Sequence, residues 1–276
     1  MRHFTRMTYS ASLPHRGVLE LSGPDRVAFL NGLVSNEVGN AVPGQAVWAA
    51  LLTPQGKYLV DFFIFSDGAR LLLDIARSAI PELMTKLQRF KLRSAVVLRD
   101  VSDQLFVHAF WGGCAPEGGV TAADPRLAEA GFRGLYDSVL PCSTNTLDYA
   151  MHRLKLGLPD GEPDLEPGKS LLLEAGFDEL HGIDWKKGCY MGQELTARTK
   201  YRGLVKRRLL PVTLPQEGLE AGTPIFADGQ EVGTVRSSAG RFGLANLSRN
   251  SFELPLEVGG KPVCVQMPSW LEWPAL

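Results

Sequence analysis

Apolar and polar positions along this chain repeat with two periods, helical and strand-like, and the pattern shortens near residue 205. Residues 17–21 are a short apolar run that reads as a strand. Ser22-Gly23-Pro24-Asp25 then gives a helix start, with Val27, Leu30, Val34 and Val38 following at helical spacing. Residues 45–52 and 58–65 flank the turn Thr53-Pro54-Gln55-Gly56, which predicts a hairpin. Ser66-Asp67-Gly68 leads into a further strand at 70–75. A second amphipathic helix is expected from about Ala79, with Ile80, Leu83, Leu87 and Phe90 on one face, and 96–98 reads as another strand. Strand pairs alternating with helices predict an α+β sheet layered with helices.

Residues 111–141 are rich in glycine and proline and give no assignable element. Residues 144–156 predict a helix with Leu147, Met151 and Leu154 aligned, followed by a polar, proline-bearing loop at 157–168. Short β segments then come at 208–214, 224–226, 233–237, 242–246 and 263–267, separated by glycine-rich turns. They predict a small C-terminal barrel or sandwich. The domain reading is 1–204 for the α+β region and 205–276 for the barrel.

Composition changes this picture little. A chain of 276 residues with 45% hydrophobic content can build a real core, and a net charge of -1 argues against a globally basic nucleic-acid binder. No apolar run reaches the roughly 18 residues of a membrane span, and no secretory segment is legible, so the expectation is a cytosolic protein with reduced thiols. Arg2, Arg6 and Arg16 without an acid resemble a short transit peptide, but a loose N-terminus is the better reading. Cys114, Cys142, Cys189 and Cys264 are widely spaced, with no zinc-ligand pattern, so no metal site is expected.

Candidate chemistry concentrates in the second half. Gly168-Lys169-Ser170 ends like a phosphate-binding loop, but Pro163 stands where that loop needs glycine, and Leu171-Leu172-Leu173 reads as a buried strand. Glu174 ends that apolar run, where an isolated carboxylate is costly unless partnered. Its partner is either a lysine or backbone amides, which makes it structural, or a planar ligand group with two adjacent N–H donors. Downstream, Lys187-Gly188-Cys189-Tyr190-Met191-Gly192-Gln193-Glu194 sets a thiol, a phenol, an amide and a carboxylate among lysines and glycines, and reads as a site rather than a packing face. Gly188 and Gly192 leave room around the sulfur, and Lys186 and Lys187 favour a thiolate if they turn toward it. Cys114, Cys142 and Cys264 lack such surroundings and are expected to be structural.

The stretch 187–194 satisfies in full the K-G-C-Y-x-G-Q-E pattern of the YgfZ-type folate-binding proteins, and Leu173-Glu174-Ala175-Gly176 resembles the L-E-A-G segment of the related glycine cleavage T-proteins. Residues 22–30 and 52–57 also resemble that family, so the likeness covers most of the chain. The resemblance implies packed α+β subdomains around a central channel, closed by a C-terminal β-barrel. It implies tetrahydrofolate, or a one-carbon derivative, as cofactor, with Glu174 on the pterin and the cations Lys186, Lys187, Arg198, Lys200, Arg202, Lys206, Arg207 and Arg208 facing the folate's glutamate tail. It further implies a role in maturation or repair of 4Fe–4S enzymes, with iron–sulfur enzymes or assembly factors as partners and Cys189 as the reactive or transiently ligating thiol. Tyr190, Gln193 and Glu194 would support that thiol by hydrogen bonds.

One departure bears on activity. The aminomethyltransferases of the family carry paired aspartates on the strand after the glycine turn, whereas this chain has Val60-Asp61-Phe62. With the pair broken, no glycine-cleavage activity is expected, and Asp61 is either a structural acid or a residual folate contact. Two other readings stand beside the principal one: a folate-dependent aminomethyl or methyl transferase or demethylase, and a tRNA or RNA-modification factor using the basic run at 198–208.

Overall fold

The computed structural model describes residues 8–271. The chain divides into two compact units, neither continuous in sequence. The first comprises the chain up to Leu51, Val60–Tyr149 and His181–Met191; the second comprises Leu52–Leu59, Ala150–Leu180 and the chain from Gly192.

The first unit opens with β1 (Tyr9–Ser12) and β2 (Arg16–Ser22). The loose N-terminus expected through Arg16 is thus strand from Tyr9, and residues 1–7 lie outside the described residues. Arg16 is buried, with Nε 2.6 Å from the Asp74 carboxylate. Helix α1 (Arg26–Asn31) is shorter than the apolar spacing predicts, because Val34 leaves the helical path to bridge Leu51 and Val38 lies in a 3-10 turn.

Strands β3 (Val47–Leu52) and β4 (Tyr58–Ser66) meet at the predicted turn and are followed by β5 (Leu71–Ala76). Helix α2 (Ile80–Lys91) buries Ile80, Leu83 and Leu87, but Phe90, placed on the same face by spacing, is exposed. With β6 (Val97–Asp100), the five strands form a sheet of order β3-β4-β5-β2-β6. The stretch that gave no element holds β8 (Val120–Ala123) and β9 (Phe132–Tyr136), which join β1 and β7 (Phe106–Trp111) in a sheet of order β1-β7-β9-β8.

This unit carries buried charge no periodicity reveals. Asp74 accepts from Arg16 and, at 2.8 Å, from Arg133, while Asp124 pairs with Arg126 at 2.7 Å. The Arg126 and Arg133 guanidiniums lie 4.7 and 4.3 Å from the centroid of the Phe63 ring, so the planar cations also serve as packing.

Helix α3 (Thr146–Leu156) runs across the sequence boundary between the units. It buries Tyr149 and Leu154 and exposes Leu147, so its inward face is turned from the one predicted. Leu172–Ala175 is a 3-10 turn rather than the expected strand, closed by Gly176 at φ +76°, where a Cβ would stand 2.8 Å from the Trp270 ring. Helix α4 (Gln193–Tyr201) takes up part of the basic run.

Six strands then close a barrel: β10 (Arg207–Thr213), β11 (Pro224–Ala227), β12 (Gln230–Ala239), β13 (Phe242–Ser248), β14 (Leu256–Val258) and β15 (Lys261–Val265). Their order is β10-β13-β12-β11-β14-β15, and β10 pairing with β15 removes the free edges. Leu210, Val212, Ile225, Val235, Leu247 and Leu256 fill it. The three-residue β14 is the strand too short to read from sequence. Among the described residues no helix is long and apolar enough to cross a membrane.

Candidate functional site

The motif 187–194 crosses a sequence boundary, with Lys187 to Met191 ending a segment of the first unit and Gly192 to Glu194 opening a segment of the second. In the first unit, its upstream approach is tied to the backbone around Ser35. Asp184 N donates to Ser35 O at 3.1 Å, and Ser35 Oγ donates to Gly182 O at 2.7 Å while accepting from Ala50 N. Asn36 Nδ2 donates to His181 O and Trp48 O. The Asp184 carboxylate accepts from the backbone N–H groups of Lys186 and Lys187, which closes the turn before the thiol.

Lys187 does not face an open cation site. Its ammonium donates to Asn31 O at 2.7 Å, Val34 O at 2.7 Å, Asn36 O at 2.8 Å and Asn31 Oδ1 at 3.1 Å. Asn31 ends α1, so this lysine satisfies carbonyls that a helix C-terminus leaves open. The ammonium also lies 5.3 Å from the Tyr190 ring centroid. Burial pulls the Lys187 amine down to about 8, against the opposing pull of the Glu37 and Asp184 charges. Engaged in this way, Lys187 is not on offer to a folate tail.

Cys189 is exposed and free. The two flanking glycines, expected to act alike, differ. A Cβ on Gly188 would meet nothing within 4 Å, which agrees with open space beside the thiol. Gly192, at φ +81°, would put a Cβ 2.5 Å from Thr53 O and 2.9 Å from Leu52 Cβ, so it serves close approach to the hairpin turn within its own unit. Tyr190 is buried, and Gln193 and Glu194 form the first turn of α4, where the exposed Glu194 suits the positive end of the helix dipole.

Of the other cysteines, Cys114 and Cys264 are exposed and Cys142 is half-buried, so the structural role expected for them is not one of core packing. The basic run also divides. Arg198, Arg202 and Lys206 are exposed, whereas Lys200 pairs with Asp178 at 2.8 Å and buried Arg208 pairs with Glu179 at 2.8 Å and donates to Leu173 O. Those two cations are structural within the second unit, which weakens the reading of the run as a phosphate-binding stripe.

Glu174 sits half-buried on its 3-10 turn, and its carboxylate makes no hydrogen bond or ion pair among the described residues. Neither the lysine nor the backbone amides that would make it structural are there. It lines a cavity of about 20 Å³, room for one water, together with Asn246 of β13. Asn246 Oδ1 is buried without a hydrogen-bond partner among the described residues, so two acceptors share one small space. Sequence reasoning missed Asn246, which reads as an ordinary polar residue of a barrel strand. Asp61 is different: it is buried in β4 and accepts from Trp48 Nε1 at 2.9 Å, a contact that a structural acid would make.

Residues 206–273, the barrel, match the family described as CAF17, C-terminal beta-barrel domain. The chain is 39% identical to the iron-sulfur cluster assembly factor IBA57 homolog, mitochondrial, of Mycosarcoma maydis, over 78% of this chain but only 58% of that one. It is 32% identical to iron-sulfur cluster assembly factor IBA57, mitochondrial, of Mus musculus, over 95% of this chain and 84% of the relative, and 31% identical to that of Homo sapiens, over 96% and 85%. In three dimensions it resembles the glycine cleavage system aminomethyltransferase T of Bartonella henselae, with a TM-score of 0.74 over 96% of this chain and 86% of the other. At 14% identity that likeness shows the fold alone, and it is the fold the motif resemblance implies. The cytosolic expectation is corrected by these relatives, each named as mitochondrial. With mammalian relatives above 30% identity over most of both chains, and a barrel of the CAF17 type, the chain belongs to the IBA57/CAF17 family, relatives of the YgfZ-type proteins with a T-protein-like fold.

Proposed function

We propose that this chain serves in iron–sulfur cluster assembly, with Cys189 presenting one thiolate to a cluster or its iron in transit. The carrying observation is that Cys189 is exposed and free, directly after a turn held by Asp184 and by the Lys187 contacts to Asn31, Val34 and Asn36. An exposed thiol can lose its proton to solvent and offer sulfur as a soft ligand, and a fixed backbone presents it in one place. Clusters of this kind take four cysteine ligands, so a single thiolate calls for the remaining ligands from the donating or accepting protein. The cluster is cargo in this reading.

The same reading gives Glu174 the pterin of tetrahydrofolate. A carboxylate with no partner among the described residues, lining one cavity with a second orphan acceptor, suits a group offering paired N–H donors. The cavity itself admits one water and not a pterin, so the ring edge would meet Glu174 from outside it. Bound tetrahydrofolate would supply a nitrogen able to carry a one-carbon unit. Asp61 is engaged by Trp48 within its own unit, which favours an accessory role over aminomethyl transfer.

Two measurements test these readings separately. An apo 4Fe–4S enzyme is activated with iron, sulfide and the purified chain, and Cys189→Ser is expected to lose the effect while Cys264→Ser keeps it. Equal activation by Cys189→Ser would sink the thiol assignment. Titration with tetrahydrofolate is expected to show weaker binding for Glu174→Gln at unchanged thermal stability, and equal affinity would remove Glu174 from the pterin.

A further inference from the structure

We propose that the end of α2 and the turn that leads from it to β6, both in the first unit, form a docking surface for an anionic lipid bilayer, met peripherally. Leu92 carries the argument. It follows α2 at φ +43° and ψ −109°, and Ser94 N donates to Lys91 O at 2.8 Å, so Lys91-Leu92-Arg93-Ser94 is a tight turn with leucine at a positive φ. Glycine is the ordinary residue there, because a Cβ is strained at such an angle. Yet this leucine is 88% exposed, so packing returns nothing for the strain. An apolar side chain held in a strained turn and left in water points to an occupant outside the chain.

Its surroundings define that occupant. Phe90, two residues before Leu92, is 41% exposed, and Val97, which opens β6, is 52% exposed. Leu98 is buried, so Val97 and Arg99 on either side of it in the strand point away from the core together. Arg89, Arg93 and Arg99 are exposed and Lys91 is half-buried, and none of the four makes an ion pair among the described residues. Two carboxylates lie close by in the fold, and both are already engaged. Asp25 lines the same open hollow as Leu92 and Arg93 and accepts from Ala95 N at 2.7 Å, while Asp100 accepts from Ser102 N at 3.0 Å. Unpaired cations around exposed apolar side chains are the pattern of an interfacial membrane contact. The leucine and phenylalanine enter the boundary between headgroups and acyl chains, and the cations meet lipid phosphates. A soluble polyanion answers the charges and leaves Leu92 in water. None of these residues belongs to the Cys189 or Glu174 sites, so the surface stands or falls without the cluster-assembly reading.

The test is cosedimentation of the whole chain with vesicles of phosphatidylcholine, with and without about 30% phosphatidylglycerol. Binding is expected to the anionic vesicles alone and should fall as salt rises. Arg89→Gln with Arg93→Gln should weaken it about 25-fold, since each cation near such a surface contributes about fivefold. Leu92→Gly relieves the backbone and removes the apolar tip, and should weaken binding about tenfold or more at a thermal midpoint equal to or above that of the unsubstituted chain. Equal binding to neutral vesicles, no binding to either kind, or binding untouched by Leu92→Gly or by the double variant would overturn the proposal. So would capture of poly-L-glutamate or an RNA oligonucleotide by a chain that does not sediment with the vesicles.

Discussion

The Lys187 ammonium stands 2.7 Å from the carbonyl oxygen of Val34, joining the thiol loop to a segment 153 residues earlier in the chain. With the Asn31 and Asn36 contacts, one side chain closes a helix end and fixes the backbone two residues before Cys189. Lys187→Met is expected to leave those carbonyls without a donor in a half-buried place and to destabilise the fold by about 1–3 kcal/mol, read from denaturant midpoints. The pH dependence adds a signature. The folded amine titrates at about 8, below its ordinary 10.5, so the unfolded chain binds more protons between those values. Stability should therefore gain from this group as pH rises from 8 to 10.5, and the gain should be missing in Lys187→Met.

The glycines on either side of the thiol should respond oppositely to a methyl group. Gly188→Ala meets open space at an ordinary backbone angle and should change stability by less than about 0.5 kcal/mol. Gly192→Ala must hold φ +81° and move backbone at Thr53 and Gly56, and should cost about 1–3 kcal/mol. Equal effects of the two substitutions on the thermal midpoint would contradict the separate roles assigned to them.

His108 offers a titration in a different place. Its ring lies buried against Phe110 and Tyr136, with Nδ1 3.2 Å from Phe106 O and Nε2 accepting from Leu140 N at 3.2 Å. One nitrogen donates and the other accepts, the pattern of a neutral imidazole, and burial holds its titration below the ordinary value near 6.5. The unfolded chain gains a proton first as pH falls. The stabilising contribution of His108 is thus complete above about pH 6.5 and lost progressively below it. His108→Gln should flatten the stability profile below about pH 6.5, measured by urea unfolding.

The local parts of this molecule are legible in the sequence, and the long-range parts are not. The hairpin across Thr53-Gly56, helix α2 and most barrel strands follow from period and turn residues, because those signals act over a few positions. The K-G-C-Y-x-G-Q-E stretch is visible for the same reason. That Lys187 would close the end of α1 is not visible, since its acceptors are backbone carbonyls and no residue type marks them. The apolar run before Glu174 misleads: three leucines read as a strand, but the αL glycine at 176 ends a 3-10 turn that buries Leu172 and Leu173. Division into two units that exchange segments is likewise a property of contacts between distant residues.

Asp124 and Arg126 make the sharpest electrostatic test, because both are buried and each is the other's partner at 2.7 Å. Arg126 Nε also donates to Asp124 Oδ1 at 2.9 Å, and the Arg126 backbone N–H donates to the same oxygen. Burial alone would raise the Asp124 carboxyl, but the Arg126 charge and hydrogen bonds outweigh it and hold the carboxyl below its ordinary 3.8. Removing the guanidinium as Arg126→Met keeps apolar volume over Trp48 and Phe63 while taking the ion-pair partner from a buried carboxylate. The expected loss at pH 7 is about 3–5 kcal/mol. In that variant burial is opposed only by the Arg133 charge and the backbone N–H of residue 126, so the carboxyl titrates higher than in the wild type and takes up a proton sooner as pH falls. The deficit relative to wild type should shrink toward acid, whereas the wild-type pair loses its own contribution below about pH 4. Replacing both residues, as Asp124→Leu with Arg126→Met, should recover much of the loss, since an apolar pair leaves no charge to solvate. A deficit that stays constant from pH 7 to 4.5 would mean that the stranded carboxylate is not its cause.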